Sequence, residues 1–122
     1  MKKMNLAQRN NNPVNLRFAG QKEAVGESGG FAVFPHAAAG FRAAHNQIKK
    51  DQSRGLTVEQ FVYKFAPPSE NNTDKYLDFV IRELRISKTT PLIEVSCFAL
   101  AGVLAAMEGY YNKEKMSGKE KP

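Results

Sequence analysis

The chain has 122 residues, enough for one hydrophobic core and too few for two catalytic lobes, which excludes a multidomain enzyme. Its composition, 42% hydrophobic and 25% charged, is that of a folding chain rather than a disordered or collagen-like one. The net charge of +6 points to a polyanion or an anionic surface as partner, while the single cysteine, Cys97, leaves no internal disulfide and no cysteine-based metal site.

Met1-Lys2-Lys3-Met4 begins like the basic region of a signal peptide, but residues 5–15 are too polar to supply the apolar stretch that must follow. The chain is therefore expected to be made in the cytoplasm without a signal peptide. Two short runs then have strand character, Asn15-Leu16-Arg17-Phe18-Ala19 and Phe31-Ala32-Val33-Phe34. The glycine-bearing stretch 20–30 between them predicts an irregular hairpin.

After Pro35 the pattern turns helical. Phe41, Ala44 and Ile48 recur at helical spacing over residues 37–53, and Gly55 sits where a terminating glycine belongs. Thr57 and Gln60 make a capping box for a short helix carrying Val58, Phe61, Val62 and Phe65, which Pro67-Pro68 stops. Thr73 is placed to cap a third helix with Tyr76, Leu77, Val80, Ile81 and Leu84 facing inward. Thr90-Pro91 is placed to start a fourth, with cap and N1 proline in order. Between Leu92 and Met107 only Glu94 is charged, so this last helix is expected at the centre of the core. Glu94 and Glu108 within the apolar stretch 91–111 favour a buried helix over a membrane span. The expected fold is α+β and mainly α: one domain over residues 1–112, with an N-terminal irregular β-hairpin and about four helices around a central apolar C-terminal one. The charged segment 113–122 is expected to be a flexible tail.

Three groups of residues offer chemistry. Glu108 ends the apolar helix; desolvation and the negative pole of the helix both favour the protonated acid, the form a general acid needs. The alternative is that the helix emerges into water there and the side chain is solvated. Asn10, Asn11, Asn12 and Asn15 either build a tight turn or present donors and acceptors to a neutral polar ligand such as a sugar. Glu70, in the loop with Asn71, is either a second carboxylate, as base or electrostatic stabiliser, or a charge that favours the helix start after it. His36 and His45 have no third ligand nearby, so no zinc site is expected. There is no nucleophile elbow and no phosphate loop, and no cofactor is implied. The basic residues are scattered, without the stripe or aromatic interleaving of a nucleic-acid surface, which makes nucleic acid a minor alternative as partner.

Four segments carry a resemblance: Arg9-Asn10-Asn11-Asn12-Pro13-Val14-Asn15-Leu16-Arg17, Gly30-Phe31-Ala32-Val33-Phe34-Pro35, Ala39-Gly40-Phe41-Arg42-Ala43 and Phe65-Ala66-Pro67-Pro68-Ser69-Glu70-Asn71-Asn72-Thr73. Together they resemble small phage and prophage proteins, virion-associated or lytic, that act on peptidoglycan and have a lysozyme-like fold. The chain departs from that pattern at Val14, where the family usually has glycine, at His36-Ala37-Ala38, where it has a Ser-Pro-Glu-like segment, and at Phe65, where it often has tryptophan. The Asn-rich stretch, the strand and the Ala-Gly-Phe-Arg helix are also similar to the glucosaminidase pattern, in which a catalytic helix precedes them. Leu100-Ala101-Gly102-Val103-Leu104-Ala105-Ala106-Met107-Glu108-Gly109 is similar to the helix of lysozyme-like transglycosylases that ends in the catalytic glutamate.

The resemblance implies a circularly permuted lysozyme-like domain that cleaves peptidoglycan glycan strands, as a lytic transglycosylase or a muramidase, at the bacterial cell wall. Glu108 would be the general acid and Glu70 the second carboxylate. Asn11, Asn12, Asn15, Asn71, Tyr110 and Tyr111 would bind the sugars. The alternative from another class is a non-catalytic structural or adaptor component of a phage particle.

Overall fold

Asn5 starts the first helix by closing a capping box: its side chain accepts from the Gln8 N–H, and the Gln8 side chain accepts from the Asn5 N–H, each at 3.0 Å. In this computed structural model, which describes residues 3–112, the order is α1 (Leu6–Arg9), β1 (Gly26–Ser28), β2 (Phe31–Val33), α2 (Ala37–Ser53), α3 (Val58–Phe65), α4 (Thr73–Leu84) and α5 (Cys97–Met107). A 3₁₀ turn (Leu92–Glu94) precedes α5. The protein is thus a mixed structure of five helices and a two-stranded antiparallel hairpin among the described residues. The segment 113–122, expected as a flexible tail, lies outside them. No helix among the described residues is long and apolar enough to cross a membrane.

The chain divides into two units, one of Met1–Ala44 with Leu104–Pro122 and the other of His45–Val103. In the first unit, Ala7, Val14, Leu16, Ala32, Phe34 and Leu104 are buried apolar side chains. The hairpin pairs Gly26 with Val33 and Ser28 with Phe31. The expected first strand is not one. Residues 15–19 meet β2 only through a single bridge, Arg17 to Phe31, because Asn15 has φ 53°, a left-handed conformation that interrupts extended backbone. Gly29 and Gly30, both at positive φ, make the turn that joins β1 to β2.

The second unit buries Ile48, Phe61, Val62, Leu77, Val80 and Leu92, among others. Helix α2 ends at Ser53 with Gly55 at φ +72°, and the capping box of Thr57 and Gln60 opens α3, both as the spacing predicts. Two expected starts move. The cap of α4 is Asn72, whose side chain accepts from the Lys75 N–H, because Thr73 is buried and donates its hydroxyl to the Ala66 carbonyl at 2.6 Å. Thr90-Pro91 leads into the 3₁₀ turn Leu92–Glu94 and does not start an α-helix. The Thr90 carbonyl accepts from the Val58 N–H, and the Leu92 N–H donates to the Leu56 carbonyl, which holds that segment extended beside the start of α3. Helix α5 begins only at Cys97, where the Ser96 hydroxyl accepts from the Ala99 N–H.

Helix α5 is also less enclosed than its composition predicts. Leu100, Ala101, Leu104 and Ala105 are buried, but Phe98 is 79% exposed and Met107 38%. An all-apolar helix normally reads as enclosed on every side; here one face is buried and apolar side chains continue round to the other.

Candidate functional site

The C-terminal end of α5 is built by a Schellman closure. The Gly109 N–H donates to the Ala106 carbonyl, the Tyr110 N–H donates to the Ala105 carbonyl, and Gly109 takes φ +83°. This geometry makes Glu108 the C-cap residue, half-buried, with its own N–H still bonded to the Leu104 carbonyl at 2.9 Å. The position is an unusual one for a carboxyl group, since the last carbonyls of a helix form its negative pole and favour cations.

The N-terminal segment fastens the chain that follows. Asn5 donates through Nδ2 to the Gly109 carbonyl at 2.7 Å, and Gln8 donates through Nε2 to the carbonyls of Tyr110 at 2.9 Å and Asn112 at 2.8 Å. Tyr110 is fixed further by edge contacts with the rings of Phe41 and Tyr111. Tyr111 is 54% exposed.

Asn15 reaches Glu108 directly, its Nδ2 donating to Oε1 at 2.8 Å. The contact joins residues 93 positions apart. The Asn15 Oδ1 is buried and accepts no hydrogen bond. One other buried side-chain atom among the described residues lacks a partner, Asn10 Nδ2, so both unsatisfied groups lie in the asparagine-rich segment. Native structures hold few such groups, and functional sites are where they are tolerated.

Asn11 and Asn12 are used differently. Asn12 is 0% exposed; its Oδ1 accepts from the Leu16 N–H, and its Nδ2 donates to the carbonyls of Leu16 and Ala32, all at 2.9 Å. These bonds tie the turn to β2 and are the work of a scaffold residue. Asn11, at φ 51°, donates to the Phe34 carbonyl at 3.1 Å, while Phe34 returns its N–H to the Asn10 carbonyl. Gly40 completes the scaffold: a Cβ there would stand 2.1 Å from the Asn11 carbonyl oxygen and 2.7 Å from Pro13 Cδ, so the turn lies directly against α2. The Ala39-Gly40-Phe41-Arg42 sequence thereby gains a physical reason for its glycine.

Glu70 and Asn71 lie in the other unit. Glu70 is exposed, in a turn where the N–H groups of Glu70 and Asn71 both donate to the Pro67 carbonyl. The Asn71 side chain donates to the same carbonyl at 3.3 Å. The structure thus groups Glu108, Asn15, Tyr110, Tyr111, Asn11 and Asn12 in one unit.

Sequence reasoning missed Asn5, Gln8, Gly40 and the pair formed by Glu23 and Arg42. Three of these left a signal: Asn5-x-x-Gln8 is a capping-box spacing, and Gly40, a glycine inside a helical pattern, marks a packing constraint. The Arg42 guanidinium grips the Glu23 carboxylate with two bonds of 2.6 Å, which lowers the carboxyl below its ordinary value and raises the guanidinium. In the second unit, Asp51 is 1% exposed and accepts from Gln47, Arg54 and Lys64. Burial pushes its carboxyl up, and the three donors together outweigh burial and hold it below the usual aspartate value. Tyr63 donates to Asp74, a bond that raises the phenol.

No group of three or more His, Cys, Asp or Glu side chains among the described residues could hold a metal ion. Comparison with models of known protein families and with curated proteins finds no match.

Proposed function

We propose that the protein cleaves peptidoglycan glycan strands, as a lytic transglycosylase or a muramidase of lysozyme-like, circularly permuted fold, with Glu108 as general acid. The observation that carries this reading is the placement of Glu108: a half-buried carboxyl at a helix C-cap, held by the amide of Asn15. A half-buried carboxyl held by an amide whose own buried acceptor is unsatisfied is what a chemical role explains better than a structural one.

In the reaction Glu108 gives its proton to the glycosidic oxygen between N-acetylmuramic acid and N-acetylglucosamine as the C1–O bond breaks. Glu108 can then take the proton of the muramic 6-hydroxyl as that oxygen bonds to C1, leaving a 1,6-anhydro end. With a second carboxylate as base, water would attack instead and the product would be a reducing sugar. Exposed Tyr111 and half-buried Tyr110 offer ring faces for sugars, and the +6 charge favours an anionic cell wall.

Mass spectrometry of the muropeptides released by the purified protein tests both activity and product. The expected result is release by wild type and at least a 100-fold slower release by Glu108→Gln, in the range lost when an acid–base group is removed. Equal release by the two proteins would remove Glu108 as the acid, and no release by wild type would mean a non-catalytic component, such as a structural or adaptor protein of a phage particle.

A further inference from the structure

We infer that Asn15 is a positioning residue for Glu108, rather than one of the residues that bind sugar; the inference rests on the reading of Glu108 given above. Three observations carry it. The Asn15 backbone takes φ 53°, a conformation that glycine adopts without strain. Its Oδ1 is buried without a partner, a desolvation cost that glycine would not incur. Its one hydrogen-bonded side-chain group, Nδ2, is spent on Glu108 Oε1 at 2.8 Å. Backbone geometry alone is therefore served as well by glycine and with less cost, so the amide is explained by what it does to the carboxyl.

The backbone around Asn15 is fixed on both sides, which makes it a firm support. Its N–H donates to the Asn12 carbonyl at 3.0 Å, and the next residue, Leu16, is held through its N–H and its carbonyl by the buried Asn12 side chain. An amide mounted this way gives Oε1 of the carboxyl a directed bond from a fixed point. A general acid must lie within hydrogen-bond reach of its proton acceptor, and small misplacement of such a group costs about 100-fold in rate.

The test uses soluble glycan strands with wild type, Asn15→Gly, Asn15→Asp and Glu108→Gln, with kcat and KM measured separately and Tm recorded for each protein. Asn15→Gly keeps the backbone conformation and removes the amide. The aspartate variant keeps the shape and replaces the donor by an acceptor. The expected result is a kcat reduced by about 10- to 100-fold in both Asn15 variants, with KM within about twofold of wild type and each variant folded at the assay temperature by its Tm. A raised KM with unchanged kcat would make Asn15 a sugar-binding residue and overturn the inference. So would wild-type kcat in either variant, provided Glu108→Gln is inactive. Activity of Glu108→Gln equal to wild type would instead remove the role of Glu108 itself, and the positioning role with it.

Discussion

Replacing Asn12 by alanine should be among the most damaging single substitutions in the first unit. The side chain is 0% exposed and makes three hydrogen bonds to main-chain groups of Leu16 and Ala32. The Leu16 carbonyl would still accept from the Ala32 N–H at 3.0 Å, so its loss is partial. The Leu16 N–H and the Ala32 carbonyl would each lose the bond that Asn12 supplies. A buried polar group stripped of its partner costs about 1–3 kcal/mol, and two of them, with the cavity left by the amide, come to about 3–5 kcal/mol. Against a total stability of roughly 5–15 kcal/mol, that is a shift in Tm of more than about 10 °C for a chain of this size. Urea unfolding followed by circular dichroism measures it, with the slope compared between variants to exclude a change in the denatured state. A loss below about 1 kcal/mol would refute the scaffold role of Asn12. Asn11→Gly is the control: it loses one bond to the Phe34 carbonyl and keeps the φ of 51°, so it should cost only about 1 kcal/mol.

Glu108→Gln preserves an acceptor for Asn15 and removes the proton the reaction needs, so peptidoglycan release should fall by at least about 100-fold; calorimetry beside the muropeptide assay separates loss of chemistry from loss of fold. Gly40→Ala would gain helix propensity of about 1 kcal/mol, yet its Cβ meets the Asn11 carbonyl at 2.1 Å. Overpacking of that kind should make it a net loss of at least about 1–2 kcal/mol. Gly102→Ala meets nothing within 4 Å inside α5 and should stabilise by about 0.5–1 kcal/mol; opposite signs from the two glycines, read by urea midpoints, are the check. Asp51 is held below its unfolded value near 3.9, so its contribution is complete above that pH and is lost as pH falls through the folded value. The stability difference between wild type and Asp51→Asn should therefore be about 2 kcal/mol at pH 7 and shrink at pH 3. Because Arg54 and Lys64 are half-exposed and can be solvated once Asp51 is gone, the loss should stay below that of a fully buried pair. A difference that does not change with pH would refute the role of its charge.

What could be read from the sequence divides by the range of the interactions involved. Helices α2 and α3 were legible at both ends, because Gly55 and the Thr57–Gln60 box are signals within one turn of the structure they fix. The starts of α4 and α5 were not. Thr73 has the right chemistry for a cap, but its hydroxyl is drawn to Ala66, seven positions away. Thr90-Pro91 has the right order for a helix start, but its backbone is paired with residues more than 30 positions earlier, Leu56 and Val58. Local propensity lost in each case to a bond that periodicity does not carry. The candidate site follows the same rule. Glu108 was legible because it ends an apolar run, whereas its hold by Asn15, 93 positions away, and the capping of the same end by Asn5, 104 positions away, are properties of the folded chain only.

The asparagines of the N-terminal segment separate into two kinds by their hydrogen bonds. Asn12 is satisfied at every contact it makes and is buried completely, as an element of pure structure should be. Asn15 makes one side-chain bond, to Glu108, and buries an acceptor with nothing to accept. Two residues of one type, three positions apart and in one turn, face the same selection for stability. That selection accounts for the first and leaves the second in deficit. The deficit sits against Glu108, a carboxyl at the C-cap of α5, and a chain can accept less stability at one place in return for geometry there.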